Sequence, residues 1–247
     1  MNHISIHFLG CGDAFGSGGR LQTCIYVESE IARFLIDCGA SSLIGMKRWG
    51  INPNSVDAIL VTHLHGDHFG GLPFFILDAQ LVSRRTRPLL VAGPPGTATR
   101  VRDALEVFFP GSSQVQQKFP IDYVEWADTK LTKVGNLPVT PYQVAHASGA
   151  PPFALRIECR QKVIAYSGDT EWTDALMPAA RGADLFICEA YYFDKKMKFH
   201  LDYHTLMAHR DALGCKRLIL THMNDDLLGR LEQVDVEYAE DGKRIVL

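Results

Sequence analysis

Short runs of apolar residues, each bounded by polar residues or by glycine and proline, recur along the whole chain. In the first half they predict strands at residues 4–9, 23–27, 32–36, 58–61, 89–91 and 121–124, and helices at residues 41–49, 70–82 and 97–108. In the second half they predict strands that end at Ala145, Ile157, Tyr166, Cys188 and Leu220, and helices near residues 172–179 and 205–213. A turn at residues 240–243 is predicted to join two last short strands as a hairpin. Periodicity alone therefore indicates an α/β fold.

Composition fits an ordinary globular protein. The chain has 247 residues, of which 47% are hydrophobic and 21% charged, and this length suffices for one large or two small cores. No linker rich in proline, serine or charge separates the halves, so we predict a single domain over residues 1–247.

The same features predict where the protein resides. No apolar run approaches the length of a membrane span, and the segment from Met1 to Ser5 lacks the basic and apolar parts of a signal peptide. The six cysteines include no Cys-x-x-Cys pair, which indicates reduced thiols and not a disulfide framework or a zinc ribbon. We therefore expect a cytoplasmic protein with no membrane partner.

The run Thr-His-Leu-His-Gly-Asp-His directly follows the predicted strand at residues 58–61. His63 and His65 are two positions apart, so their side chains lie on one side of an extended chain. The glycine after them is expected to allow a sharp turn that brings Asp67 and His68 to the same place. Imidazole and carboxylate together suit a divalent ion such as zinc, with manganese or iron as alternatives. The run therefore predicts a metal site.

This run resembles the signature of the metallo-β-lactamase superfamily of hydrolases, which is His-x-His-x-Asp-His after an apolar strand. The other ligands of that superfamily have counterparts here. They are a lone downstream histidine, an aspartate within Ser-Gly-Asp-Thr after a strand, and a last histidine after another strand: His146, Asp169 and His222. The resemblance covers most of the chain, and it implies a four-layer αβ/βα sandwich.

The resemblance also implies two divalent metal ions, with zinc favoured. The ligands divide into one set of His63, His65 and His146, a second set of Asp67, His68 and His222, and Asp169 as the bridge. Two such ions, about 3.5 to 4 Å apart, can hold a hydroxide between them and clamp an anionic oxygen. Asp67 is expected to orient that hydroxide as a catalytic residue.

Several segments are similar to the ribonuclease Z branch of the superfamily, among them the runs at residues 8–12, 35–39 and 188–190. In that branch a histidine at a helix start precedes the last ligand histidine by 22 positions, and His200 lies at that interval before His222. The resemblance implies that His200 is a second catalytic residue, which donates to phosphate oxygens or protonates the leaving group.

The match around His200 is imperfect. The branch usually reads His-Ser-Thr, whereas this chain has His-Leu-Asp. His204 lies one helical turn further on and would share a helix face with His200, so it is kept as the alternative.

The chain departs from transfer-RNA-processing members in one large feature. The bacterial type carries a long basic arm between the equivalents of His146 and Asp169, and here little more than two predicted strands separate those residues. The formal net charge of -3 gives no general attraction to nucleic acid, and the basic clusters at residues 84–87 and 195–198 are short. The expected substrates are therefore small or cyclic phosphodiesters or short nucleic acid ends. The resemblance also makes a homodimer plausible.

Two other functions stay open at this point. A lactone, carboxylic ester, thioester or aryl sulfate hydrolase could use the same centre, because a hydroxide between two metals does not itself choose between carbon, sulfur and phosphorus. A catalytically inactive metal-binding sensor or RNA-binding scaffold is an alternative of another class, although such proteins usually lose ligands and this chain keeps all seven.

Overall fold

The computed structural model describes residues 3–247, which form fourteen strands in two mixed sheets. The first sheet contains β1 (Ser5–Gly10), β2 (Cys24–Glu28), β3 (Arg33–Ile36), β4 (Ala58–Leu60), β5 (Leu89–Gly93), β6 (Ile121–Glu125) and β14 (Arg244–Val246). The second contains β7 (Thr132–Val134), β8 (Leu137–Gln143), β9 (Phe153–Cys159), β10 (Lys162–Tyr166), β11 (Leu185–Glu189), β12 (Leu218–Thr221) and β13 (Glu237–Tyr238).

The two sheets repeat one strand pattern. The first has the order β14-β1-β2-β3-β4-β5-β6, and the second the order β7-β8-β9-β10-β11-β12-β13. In each sheet the first four strands of this order pair antiparallel, and the fourth to the seventh pair parallel, so the fourth strand, β3 or β10, takes part in both kinds of pairing. The parallel strands end at the same edge of their sheet, and this edge carries the candidate site.

Residues 3–247 also contain eight α-helices: α1 (Ser42–Arg48), α2 (Gly66–Phe69), α3 (Leu72–Leu81), α4 (Thr97–Phe108), α5 (Leu176–Ala180), α6 (Tyr203–Ala208), α7 (Arg210–Leu213) and α8 (Asp225–Leu228). One buried cluster, which includes Phe8, Leu60, Tyr166 and Ile219, joins the two sheets. A second cluster packs α1, α3 and α4 on the first sheet, and a third packs α5 to α8 on the second. The four-layer αβ/βα sandwich is thus confirmed.

Most predicted elements are present, with boundaries shifted by a few residues. The helix expected at residues 70–82 is preceded by the separate turn α2, and the helix expected at residues 205–213 is divided into α6 and α7. The short edge strand β7 was not predicted, because three residues of mixed polarity give too little periodicity.

The predicted hairpin at residues 240–243 is wrong. The turn exists, since Lys243 N donates to Glu240 O at 3.0 Å. However, β13 pairs with β12 in the second sheet and β14 with β1 in the first. Asp241 accounts for this crossing, because its carboxylate accepts hydrogen bonds from Cys11 N at 3.0 Å and Leu21 N at 2.7 Å, both in the first half of the chain.

No helix within residues 3–247 combines the length and the apolar character needed to cross a bilayer. None of the six cysteines forms a disulfide, and five of them are buried.

Candidate metal centre

Four strands deliver the seven predicted ligand residues to one place. The stretch after β4 carries His63 and His65 and then enters the one-turn helix α2, which presents Asp67 and His68. The turn expected at Gly66 does bring Asp67 and His68 to one place, but it is the first turn of α2, and Gly66 does not have a positive φ. The remaining three residues follow β8, β10 and β12: His146, Asp169 and His222.

The side chains form two groups whose potential ligand atoms lie within 4.8 Å of one another: His63, His65 and His146 in the first, and Asp67, His68, Asp169 and His222 in the second. In the first group His146 Nε2 lies 3.0 Å from His65 Nδ1. In the second, Nε2 of His222 lies 3.2 Å from Asp67 Oδ2 and 3.3 Å from Nε2 of His68. These groups match the two ligand sets that the resemblance implies.

Asp169 lies between the groups and is almost fully buried. One carboxylate oxygen, Oδ1, is 3.2 Å from His68 Nε2. The other, Oδ2, is 3.4 Å from His222 Nε2, 3.8 Å from His63 Nε2 and 4.0 Å from His146 Nε2. A carboxylate that faces both groups is suited to bridging two ions.

The donor set fits divalent cations on its own chemistry. His63 Nε2 is fully buried and has no hydrogen-bond partner among the described residues, which is costly unless something binds it. Two contacts bring pairs of imidazole nitrogens close together: His65 with His146 at 3.0 Å, and His68 with His222 at 3.3 Å. Imidazole nitrogens and carboxylate oxygens that converge in this way are a donor set of the zinc, manganese or iron type.

The electrostatics differ between the groups. Burial lowers the pKa of His63 well below its usual value and lowers the pKa of His146 to about 4. Burial opposes charge on His68 and His222 as well, but nearby carboxylates, Asp169 first, raise the pKa of His68 well above its usual value and that of His222 to about 9. His63 and His146 thus offer neutral imidazoles, whereas His68 and His222 hold protons that a cation would displace.

Further residues orient the imidazoles through their second ring nitrogens. Asp37 Oδ2 lies 2.7 Å from His68 Nδ1, and Asp37 is itself held by the backbone N–H of Thr62 at 2.8 Å. His146 Nδ1 donates to the backbone oxygen of Phe199 at 2.9 Å, and Phe199 N donates to Glu171 Oε2 at 2.9 Å. Such partners fix the tautomer that leaves the other nitrogen free for a metal.

Backbone strain concentrates at the same place. Six non-glycine residues of the described chain have positive φ, and three of them are Asp37 (57°), Phe199 (72°) and His222 (59°). Left-handed backbone at such residues costs of the order of 1–3 kcal/mol each and persists only where the surroundings enforce it. At all three positions it accompanies a contact within the histidine cluster.

His200 lies beside the second group, and His204 does not. His200 Nδ1 is 3.0 Å from Glu189 Oε2, and its ring stacks on Tyr191 with centroids 4.6 Å apart. His204 is exposed and contacts Phe193 instead. The expectation that both share a helix face is wrong, because His200 is in the loop before α6, which begins at Tyr203.

Glu189 links His200 to the second group. It is fully buried, accepts from Thr170 N at 2.5 Å, and lies 3.6 Å from His222 Nδ1. Burial, together with the charge of Asp169, raises the pKa of Glu189, which the nearby histidines oppose. Burial lowers the pKa of His200, but the Glu189 contact outweighs it and leaves the pKa raised.

Sequence reasoning found the segments that contain Asp37 and Glu189 but assigned neither a role, and it passed over Glu171 and Phe199. For Asp37 and Glu189 a signal was present, because each follows the last residue of a parallel strand or ends one. The Phe199 contact runs through the backbone, so no side-chain pattern announces it.

Comparison with known proteins places the chain in a family. A family model described as a β-lactamase superfamily domain matches residues 32–223. The chain therefore belongs to the metallo-β-lactamase superfamily.

Within the superfamily the chain is similar to ribonuclease Z. The ribonuclease Z of Limosilactobacillus fermentum is 26% identical over 284 positions, covering 92% of this chain and 90% of that protein. An uncharacterized protein of Mycobacterium tuberculosis, Rv1339, is 30% identical over 227 positions, which cover 89% of this chain and 81% of that protein. The first alignment, with 284 positions, is longer than the 247 residues of this chain, so that ribonuclease Z has residues with no counterpart here.

Solved structures agree on the fold. YhfI of Bacillus subtilis, a metallo-β-lactamase fold protein, superposes with a TM-score of 0.80 at 19% identity over 100% of both chains. The short form of human tRNase Z superposes with a TM-score of 0.79 at 24% identity over 98% of both chains. A diphosphatase of the PhnP family superposes with a TM-score of 0.77 at 20% identity, over 98% of this chain and 97% of that chain.

Proposed function

We propose that the protein is a phosphodiesterase that depends on two divalent metal ions and acts on small or cyclic phosphodiesters or short nucleic acid ends. The observation that carries the proposal is the contact between His200 and Glu189, 3.0 Å long, directly beside the seven-residue cluster. A hydrolase of activated esters needs no such proton donor, whereas the alcohol of a phosphodiester leaves readily only when it is protonated.

Two ions bound by the seven residues would activate a water molecule and neutralise charge on the phosphate oxygens. His63, His65 and His146 would hold one ion, Asp67, His68 and His222 the other, and Asp169 would contact both. Zinc suits this donor set best, with manganese or iron as alternatives.

The protein side chains would move the protons. Asp67 would orient the attacking water, since its carboxylate belongs to the second group, with Oδ2 3.3 Å from His68 Nε2. His200 presents Nε2 to the substrate because Nδ1 faces Glu189. With its pKa raised, His200 is available in the protonated form, which gives its proton to the leaving oxygen.

The preference for small substrates rests on what lies between His146 and Asp169. That segment consists of β9, β10 and short connections, with no additional element. The ribonuclease Z relatives support a nucleotide phosphodiester, while the shorter chain argues against a folded transfer RNA. The homodimer that the resemblance implies stays a prediction, which sedimentation of the purified protein would test.

The experiment is a substrate panel. Purified protein loaded with zinc or manganese is assayed with bis-p-nitrophenyl phosphate, a lactone and an aryl sulfate, alongside His63→Ala. We expect the phosphodiester to be the best substrate and His63→Ala to abolish its turnover. Preference for the lactone or the sulfate would favour an ester or sulfate hydrolase. A protein that binds two metals and turns over none of the three would favour an inactive sensor or scaffold.

A further inference from the structure

A cavity of about 410 Å³ opens beside His200, away from the metal cluster. Its wall includes His200, Trp172, Met197 and Lys198, and it contains none of the seven proposed metal ligands. His200 therefore separates this cavity from the cluster, since its ring also lies 4.9 Å from that of His146. The volume falls within the range of about 300–1,000 Å³ that small-molecule sites occupy.

Trp172 gives the cavity a fixed aromatic wall. The indole stacks on the ring of His209, with centroids 3.8 Å apart and planes 9° apart, so its orientation is set before any ligand binds. Neither residue has a role in the proposed reaction. A planar ring held in this way is suited to stacking on another planar ring.

The charged groups around the cavity differ in availability. Asp202 accepts hydrogen bonds from Lys196 Nζ at 3.0 Å and from Thr205 N at 2.9 Å, and Glu171 accepts from Phe199 N. Lys198 is exposed, with its ammonium 4.6 Å from the centroid of the Phe199 ring, and it forms no ion pair with a carboxylate of residues 3–247. The available charge at the rim is therefore positive.

We propose that this cavity binds the leaving alcohol of the phosphodiester, and that this alcohol is a nucleoside whose base stacks on Trp172. This inference rests on the proposed function, because the position of the leaving oxygen follows from the proposed role of His200. If His200 protonates the leaving oxygen, that oxygen lies within hydrogen-bond distance of His200, and the group attached to it lies next to the cavity that His200 lines.

The bonds and protons balance. The oxygen of water forms a bond to phosphorus, and the water gives a proton to Asp67. The bond from phosphorus to the nucleoside oxygen breaks, and that oxygen takes its proton from His200. The nucleoside leaves as a neutral alcohol from the cavity, and a phosphate monoester is the other product. Lys198 attracts the anionic substrate to the rim.

The test is calorimetric titration of adenosine into the metal-loaded protein, which needs no turnover. We expect adenosine to bind, and Trp172→Ala to raise its Kd about 5- to 150-fold, the equivalent of one base–aromatic stack. Trp172→Phe should restore most of the affinity. Met197→Ala, at an exposed position, should raise the Kd as well. Lys195→Ala is the matched control, because Lys195 belongs to the same loop but does not line the cavity.

A second measurement links binding to catalysis. Adenosine should inhibit hydrolysis of bis-p-nitrophenyl phosphate, with an inhibition constant that rises in Trp172→Ala by the same factor as the Kd. Absence of adenosine binding, or equal affinity in wild type and in both Trp172→Ala and Met197→Ala, would overturn the cavity proposal even if the phosphodiester is hydrolysed. Adenosine binding without any hydrolysis would instead reject the proposed function.

Discussion

The imidazole of His146 depends on two residues that no histidine motif reveals. Its Nδ1 donates to the carbonyl of Phe199, whose strained backbone (φ 72°) is tied by its N–H to Glu171. The seven candidate ligand positions could be predicted from the sequence, because the spacing of imidazoles and carboxylates after strands is recognisable. It could not supply these supports, because one is a backbone carbonyl and the other depends on how two distant loops meet.

The Glu171 contact leads to a prediction about metal affinity. Glu171→Ala removes the acceptor that holds Phe199 N, so the Phe199 carbonyl no longer orients His146. We expect the affinity for the more weakly bound metal to fall about 10- to 100-fold, as for other indirect supports of metal ligands. Competition with a chromophoric chelator measures this change. The exposed Glu158→Ala on β9 serves as the control, and equal affinities in the two variants would contradict the role of Glu171.

At the scale of elements, the residues that follow the ends of strands form the candidate site. The sequence predicted the strands before each ligand correctly, because apolar runs are a local signal. It misjudged the last turn, since β13 and β14 pair with different sheets and the contact that separates them, Asp241 with Cys11 and Leu21, joins residues from opposite ends of the chain. Partners that are distant in sequence leave no local pattern.

Helix α6, which follows His200, begins at a titratable cap. Asp202 accepts from Thr205 N at 2.9 Å, and although burial opposes its charge, the Thr205 and Lys196 contacts lower its pKa. We expect Asp202→Ala to lower the free energy of unfolding at pH 7 by about 1 kcal/mol and Asp202→Asn to lower it less, because asparagine also caps helices. Chemical denaturation measures both changes.

The contribution of the Asp202 cap to the free energy of unfolding depends on pH. A carboxyl group whose folded pKa lies below its unfolded value of about 3.9 contributes stability above that pH. The contribution disappears as the pH falls through the folded pKa. The stability difference between wild type and Asp202→Asn should therefore be constant near neutral pH and shrink in acid. A difference that grows on acidification would show that the cap is not charged in the folded protein.

At the scale of the whole molecule, the two sheets meet along one core, and the ligands of each proposed metal come from both. His63 and His65 follow the first sheet and His146 the second, so the first group forms only when the sheets pack together. The family resemblance predicted this architecture. Residues 3–247 contain no long extension near the site that would contact a large folded RNA.

Because no long extension within residues 3–247 lies near the site, we predict that the protein does not prefer large substrates over small ones. A precursor transfer RNA should have a kcat/KM no higher than that of a short oligonucleotide with the same 3′ sequence, because residues 146–169 add only β9, β10 and short connections, with no arm for the body of the RNA. Competition between the two substrates at fixed salt measures the ratio. A strong preference for the precursor would mean that another surface of the protein recognises folded RNA.

The most direct test of the account is the turnover of a dinucleoside monophosphate by His200→Ala at saturating metal. The alcohol released from this substrate is poorly acidic, so loss of the proton donor should lower kcat about 10²- to 10⁴-fold while the bound metal stays at two ions per chain. Hydrolysis of bis-p-nitrophenyl phosphate, whose leaving group is an acidic phenol, should fall much less. Unchanged turnover of the dinucleoside monophosphate by His200→Ala would contradict the proposed role of His200 as the proton donor.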